Sequence, residues 1–298
     1  MSRPERSEEV ELVETRAKRG HTVSVNDEPT WLGVARRAVD QSTSVRAQRA
    51  WWDDQARDYY REHGDFLGDA DLVWGPEGWH ESQLNVLGDV SGLRVLEIGA
   101  GAAQGSRYLQ SVGAQVVATD LSGGMLAQGR AINARRGDGG PPLIQCDGAR
   151  LPFADRSCDV IFTAYGVMPF VEDAAGVIAE AARVLRPGGL LAFATTHPLR
   201  WALPDAPGAE GLTVTASYFD RTPYVEEDEN GSVTYVEHHR TIGDWVSHIV
   251  GAGLLLQDVI EPDWPATNSQ VWGGWSPMRG RLIPGTAIFT ARRAERPA

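Results

Sequence analysis

The stretch VLEIGAGAAQGS, Val95 to Ser106, decides the fold. Its apolar start reads as a buried strand, its centre as a glycine-rich turn, and its end opens a helical pattern over about 103–113. Gly99 and Gly101 let the backbone approach a ligand closely. The free N–H groups at a helix start suit an anionic group such as a carboxylate. Turns of this kind occur in many nucleotide binders, so the surrounding sequence has to say what this one holds.

Downstream the same texture repeats. VVATD (116–120) precedes a helical run over about 123–135. LIQCD, ending at Asp147, and DVIFTA (159–164) read as further strands. A helix over about 174–185 ends at RPGG, and LLAFATT (190–196) follows. Apolar strands alternating with helices imply a parallel sheet covered on both faces. With LLQDVIE (255–261) and TAIFTARR (286–293) added, the expectation is an α/β, Rossmann-like, doubly wound, seven-stranded and mostly parallel sheet.

Three further segments flank this core. Residues 1–28 are polar and charge-rich and read as a flexible arm. Residues 29–90 read as an N-terminal helical cap of two or three helices, studded with Trp31, Trp51, Trp52, Tyr59, Tyr60, Trp74 and Trp79. The main domain then runs over 91–298. A lid insertion is expected over about 200–240, because Asn230-Gly231 is a type I′ turn dipeptide between two β-rich runs.

Bulk properties narrow the function. Of 298 residues 42% are hydrophobic, enough for a sizeable core, and the formal net charge is -12, which argues against a general phosphate-backbone binder. No apolar run approaches the ~20 residues of a membrane helix, and the first residues lack the apolar core of a secretory signal. Cys146 and Cys158 are too few for a disulfide framework and read as small buried hydrophobes, in a reducing cytoplasm. No metal-spaced His/Cys cluster is evident.

Carboxylates give the turn its context. Glu97 lies two residues before Gly99, Asp120 ends the second strand and Asp147 ends the third. Strand ends of an open sheet face the ligand crevice, where a carboxylate can accept both hydroxyls of a ribose. Any one of them could merely cap the following helix; three in register point to a ligand.

On VLEIGAGAAQGS, VVATDLSGGML, CDGARLPFADRSCDVIFTAYGVMPFVED and EAARVLRPGGLLAFATTHP, about 90–200, the chain resembles the class I S-adenosylmethionine-dependent methyltransferases, in particular the ubiquinone-biosynthesis-like small-molecule group. The resemblance implies S-adenosylmethionine as cofactor and S-adenosylhomocysteine as product. It implies that Glu97 organises the turn or faces the cofactor's amino group, and that Gly99 and Gly101 pass its amino-acid moiety. Asp120 would hold the ribose, with Leu121 and Met125 flanking the adenine. Asp147, Gly148 and Ala149 would read the adenine edge, and Tyr165 would sit near the amino-acid end. One departure is plain. The family's third glycine is here Ala103, followed by Gln104, which either contacts the cofactor carboxylate or opens a solvated helix.

A sulfonium methyl group is already electrophilic, so alignment and exclusion of water carry most of the catalysis. A general base is needed only for a nucleophile with a proton of high pKa. His197, after the fifth strand, and Tyr165, after the fourth, are the candidates. His238 and His239 fall on the second hairpin strand, where alternation sends them to opposite faces, so at most one lines a pocket. Ten tryptophans enrich the chain in aromatics, and Trp201, Tyr218, Phe219, Tyr224, Tyr235, Trp264, Trp272 and Trp275 cluster after the fifth strand. They favour a planar or apolar acceptor and could help stabilise a sulfonium.

The expected function is therefore in-line methyl transfer to a small-molecule acceptor, without nucleic acid or a membrane span, with a possible homodimer through the N-terminal helices. Two alternatives stay open: a non-catalytic cofactor-binding scaffold, and a methyltransferase of RNA or protein. The second lacks its usual Asn/Asp-Pro-Pro-aromatic motif, since Thr163-Ala164-Tyr165-Gly166 stands there. A dehydrogenase, which would want glycine at 104, ranks last.

Overall fold

In the structure, a computed structural model, residues 33–295 are described. The arm expected over 1–28 and Trp31 lie outside the described residues. The chain opens with β1 (Gly33–Arg36) and a 27-residue helix, α1 (Gln41–Leu67). Asp40 starts that helix by accepting the Thr43 N–H at 2.9 Å, and Gly68 ends it at φ 68°. A single turn, α2 (Glu81–Leu84), follows. Then come β2 (Arg94–Ile98), α3 (Gln104–Ser111), β3 (Gln115–Asp120), α4 (Gly123–Arg136), β4 (Leu143–Gln145), β5 (Cys158–Ala164), α5 (Ala174–Val184) and β6 (Leu185–Thr196). The remainder is β7 (Tyr224–Glu227), β8 (Val233–Glu237), α6 (Ile242–Gly251), β9 (Leu254–Ile260), the short α7 (Pro277–Gly280) and β10 (Thr286–Arg293).

The main sheet has the expected seven strands, in the order β4-β3-β2-β5-β6-β10-β9. The five strands from β4 to β6 are parallel, and β10 runs antiparallel between β6 and β9. Alternation sorts their side chains into two layers. Leu96, Ile98, Ile161, Leu191 and Phe193 pack against Val177, Ile178 and Ala181 of α5 and Trp245 and Ile249 of α6. Val95, Val160, Phe162, Ala192 and Ala194 pack on the other face against Leu109 of α3 and against Leu72, Trp74 and Leu87. Each fully buried apolar side chain contributes about 1.5–3 kcal/mol, so this double burial fixes the strand ends that carry the site.

A second, three-stranded antiparallel sheet has the order β1-β7-β8. It corrects the expectation of a wholly helical N-terminal cap. That segment gives one long helix, one helical turn and a strand, Gly33–Arg36, that pairs with Glu227–Tyr224. Four residues carry too little periodicity to be read alone, and the partner lies about 190 positions away. The hairpin turn also differs from expectation. The Gly231 N–H returns to the Asp228 carbonyl, Gly231 is at φ 75°, and Asn230 is not in the left-handed region. A type I′ turn needs positive φ at both central residues; here the loop is a type I turn closed by a glycine bulge, with the Asp228 carboxylate accepting the Asn230 and Ser232 N–H groups. RPGG, the expected end of the helix over about 174–185, is a bulge inside β6, between the Leu185 and Leu190 pairings.

Candidate active site

β2 runs into the glycine turn, and the turn has three residues in the left-handed region: Gly99 (φ 67°), Gly101 (φ 55°) and Ala103 (φ 63°). Ala103 takes this conformation at a cost of roughly 1–2 kcal/mol and still starts α3, so replacing the third glycine leaves the loop's shape intact. Gly99 faces Gly166 across the crevice. A Cβ on Gly166 would lie 1.9 Å from the Gly99 carbonyl oxygen, and one on Gly99 would lie 2.7 Å from Gly166. This closeness brings the Tyr165–Val167 segment, at the end of β5, onto the turn.

Glu97 is 5% exposed and lies beneath the turn. Its Oε2 accepts the Ser106 N–H at 2.9 Å and the Ser106 hydroxyl at 2.5 Å. Of its two expected roles, these contacts describe the organising one. Burial pushes its pKa up to about 7 against those hydrogen bonds. Arg107 is buried beside it, donating to the Ala102 carbonyl and, at 2.9 Å, to Asn133 Oδ1.

Asp120 ends β3 and reaches back to the turn. Its Oδ2 accepts the Gly101 N–H at 2.7 Å and its Oδ1 the Ser122 N–H at 2.8 Å. Burial raises its pKa to about 6. Leu121 is half-buried and Met125 buried, with Met125 Cε 3.0 Å from where a Gly101 side chain would begin. Beyond β4, Asp147 Oδ1 accepts the Ala149 N–H at 2.9 Å, and Gly148 sits against Ile98. Gln104 is half-buried as the first residue of α3. The adjacent ends of β4, β3 and β2 thus bring Asp147, Asp120 and the glycine turn together.

Sequence reasoning missed Asp53. Its Oδ1 accepts the Ser122 hydroxyl at 2.6 Å and the Gly124 N–H at 2.9 Å, pinning α1 onto the start of α4 beside Asp120. A Cβ on Gly124 would lie 2.6 Å from the Asp53 carbonyl, so the helix docks only because glycine stands there. No local spacing announces a contact 71 residues long.

Tyr165 has φ 61° and is half-buried. Its hydroxyl lies 3.1 Å from the Gly285 carbonyl and 3.0 Å from Thr286 Oγ1, and burial holds its pKa well above the ordinary phenol range. His197 is 7% exposed. Its Nδ1 accepts the Leu199 N–H at 3.2 Å and its Nε2 donates to Glu261 at 2.7 Å, so both ring nitrogens are engaged in holding the loop after β6. Burial lowers its pKa, opposed by Glu261.

His238 and His239, expected on the second hairpin strand with at most one lining a pocket, lie just past β8, and both are buried. His238 Nε2 is 3.1 Å from Ser44 Oγ, and burial lowers its pKa to about 4. His239 Nε2 donates to the Tyr218 carbonyl at 2.7 Å, and its ring lies 5.3 Å from that of Trp201. Trp201, Tyr218 and His239 thus form a cluster of their own, with the Arg36 guanidinium over Trp201 at 5.2 Å. The His238 N–H, donated to the Pro169 carbonyl at 2.8 Å, ties this lid to the loop after β5.

A more central aromatic wall runs from the cap to that loop. Trp52 meets Phe170 at 5.6 Å, Phe170 meets Tyr235 at 5.9 Å, and Trp51 meets Tyr235 at 5.0 Å. Tyr59 extends it to Trp272 at 6.5 Å. Phe170, its joint, stood out in no sequence pattern.

This arrangement suits S-adenosylmethionine. The turn allows close backbone approach at Gly99 and Gly101, and Asp120 and Asp147 place two carboxylates at adjoining strand ends. Comparison with known proteins agrees. A methyltransferase domain family model matches residues 96–193. The demethylmenaquinone methyltransferase of Beutenbergia cavernae is 32% identical over 204 residues, which is 68% of this chain and 78% of that protein. That of Mycolicibacterium paratuberculosis is 31% identical, covering 74% and 83%. The crystal structure of an S-adenosylmethionine-dependent methyltransferase from Mesorhizobium loti superposes with a TM-score of 0.55 at 27% identity, covering 70% of this chain and 95% of that one. With its seven-stranded sheet and strand-end acceptors, the chain belongs to the class I S-adenosylmethionine-dependent methyltransferases, in the group of the ubiquinone- and menaquinone-pathway enzymes, and S-adenosylmethionine is its cofactor.

Proposed function

We propose that the acceptor is a planar, apolar small molecule of the hydroquinone class. The observation that carries this is the aromatic wall of Trp51, Trp52, Tyr59, Phe170, Tyr235 and Trp272, which joins the cap, the lid and the loop after β5. The similarity to demethylmenaquinone methyltransferases supports the same class. The cofactor supplies an electrophilic methyl group. The protein's part is to bind, orient and dry the site.

In this reading Asp120 takes the ribose hydroxyls in place of its bond to the Gly101 N–H. Asp147, Gly148 and Ala149 read the adenine edge, and Leu121 and Met125 flank its faces. Gly99, Gly101 and Gln104 line the amino-acid end, and Glu97 holds the turn from below. Tyr165 faces the acceptor side. His197, with both nitrogens engaged, serves as a loop clamp, and Trp201, Tyr218, His238 and His239 shape the lid. Among the described residues no helix is long and apolar enough to cross a membrane. A cytoplasmic location, a homodimer through α1 and the absence of a nucleic-acid partner belong to the same proposal, the last supported by the net charge of -12.

Calorimetry with S-adenosylmethionine, S-adenosylhomocysteine and NAD, followed by turnover on a short-chain prenyl naphthoquinol, tests the reading. Binding of both sulfur ligands and methylation of the quinol are expected. Methylation of RNA or protein in its place would overturn the acceptor class. Binding without turnover on any acceptor would favour a scaffold.

A further inference from the structure

Behind Tyr165 lies a buried carboxylate. Glu77 is 2% exposed. Its Oε1 accepts the Gly285 N–H at 3.1 Å and its Oε2 accepts the Thr286 hydroxyl at 2.6 Å. Its partners also include the backbone N–H groups of Glu77 and Thr286, and among the described residues no cation pairs with it. Burying an unneutralised carboxylate is costly, yet two glycines make room for it. A Cβ on Gly75 would lie 2.2 Å from Thr286 Oγ1 and 2.7 Å from Glu77 Oε2, and one on Gly285 would lie 2.6 Å from Glu77 Oε1.

The three groups form a chain of close contacts. Thr286 Oγ1 donates its proton to Glu77, and the Tyr165 hydroxyl, which donates to the Gly285 carbonyl at 3.1 Å, lies 3.0 Å from Thr286 Oγ1 and can share its proton with that oxygen. Tyr165 stands at the carboxyl end of β5, next to the Gly166 that touches the cofactor turn.

We propose that Tyr165, Thr286 and Glu77 form a proton relay for the acceptor's hydroxyl. The acceptor O–H proton passes to Tyr165 Oη, the Tyr165 proton to Thr286 Oγ1, and the Thr286 proton to Glu77 Oε2. The electron pair freed on the acceptor forms the bond to the methyl carbon, and the carbon–sulfur pair stays with sulfur. Glu77 returns its proton to water after product leaves. Tyr165 is the catalytic residue here; Thr286 and Glu77 position and drain it.

The charges around the chain agree. Burial raises the pKa of Glu77, against its hydrogen bonds from Thr286 and Gly285, which favours its taking up a proton. Tyr165 alone is a poor base, since burial and the Glu77 charge both raise its pKa, opposed by hydrogen bonding with Thr286 and Thr196 and by the charge of Arg200. Arg200 is itself paired with Asp205 and Glu237. His197 faces the same turn through its N–H on the Gly285 carbonyl, and its ring is held by Glu261.

The relay rests on the hydroquinone reading, so the test separates the two. The full chain is assayed with S-adenosylmethionine and a short-chain prenyl naphthoquinol across the neutral pH range. Glu77→Gln, Tyr165→Phe and Thr286→Ala each lower kcat by about a hundredfold, with cofactor affinity unchanged. Thr286→Ser restores turnover, and the acid limb of the kcat profile vanishes in Glu77→Gln. An unaltered profile in Glu77→Gln, or equal loss of kcat and cofactor affinity without rescue by serine, overturns the relay. If the wild-type protein leaves the quinol unmethylated, the acceptor class fails and the relay is read without an acceptor. Infrared titration of isotope-labelled glutamate then shows a carboxyl band, absent in Glu77→Gln, that titrates above the ordinary range and moves higher in Thr286→Ala. A band in the ordinary range overturns the relay.

Discussion

Replacing Glu97 by glutamine should stabilise the cofactor-free protein at high pH. The side chain is 5% exposed, and its pKa rises from the ordinary 4.5 to about 7 on folding. A group whose pKa is raised by folding contributes stability that is fully present below its unfolded pKa and is lost as pH rises through the folded one. The window here is therefore about 4.5 to about 7. At about 1.4 kcal/mol per unit the ionised carboxylate costs ~3 kcal/mol above that window. Glutamine never ionises, but it exchanges a charged acceptor for a neutral one toward the Ser106 N–H and hydroxyl, giving back ~1 kcal/mol. The variant should gain ~2 kcal/mol at about pH 8 and little at about pH 5. With a urea slope of about 2 kcal/mol/M, the midpoint moves up by ~1 M at the higher pH. Denaturation curves of both proteins at the two pH values give the result directly. Asp120 titrates with the same sign in both, so the difference between them isolates Glu97. A variant weaker than wild type at high pH, or with an unchanged pH dependence, would refute the reasoning.

Asp120→Ala should weaken S-adenosylmethionine binding roughly ten- to a hundredfold, since bonds to a charged group contribute ~1.5–3 kcal/mol; unchanged affinity in titration would place the ribose elsewhere. Because both nitrogens of His197 hold the loop, His197→Ala should cost about 1–3 kcal/mol of stability and spare kcat. A collapse of turnover in a well-folded variant would restore the base role. Gly166→Ala sets a methyl 1.9 Å from the Gly99 carbonyl, and the resulting strain of roughly 1–3 kcal/mol or more should show as lost cofactor binding; normal affinity would mean that the turn has slack. Asp53→Ala removes a helix cap worth about 1 kcal/mol and should speed amide exchange along α1, whereas unchanged exchange would show that the aromatic wall alone holds it.

The parallel core was legible because its signals are local. Each strand end, turn and helix start lies within a dozen residues of VLEIGAGAAQGS or its echoes, and Asp120 and Asp147 follow from strand length alone. What escaped depends on distant partners. β1 exists only because β7 supplies its ladder, and Asp53 matters only because Ser122 and Gly124 stand under it. Glu77 meets Thr286 across 209 positions. The lid was read as a place, but its aromatics were misapportioned. Trp201 and Tyr218 close a cluster of their own, while the wall recruits Phe170 and the α1 tryptophans. Asn230-Gly231 pointed to the right loop and the wrong turn, because Asp228 binds the loop amides and reshapes it.

The placement of β10 bears on how the protein is made. It is later in the chain than both strands it joins, yet lies between them. Until Thr286–Arg293 leaves the ribosome, β6 and β9 each present an open edge, and open edges invite pairing with other chains. The parallel core can form around its cofactor turn while synthesis continues, but Gly285 and Thr286, which anchor Tyr165, arrive with that final strand. A nascent chain can therefore assemble a cofactor cradle before its acceptor side is finished, and the same strand that seals the sheet sets the phenol in place.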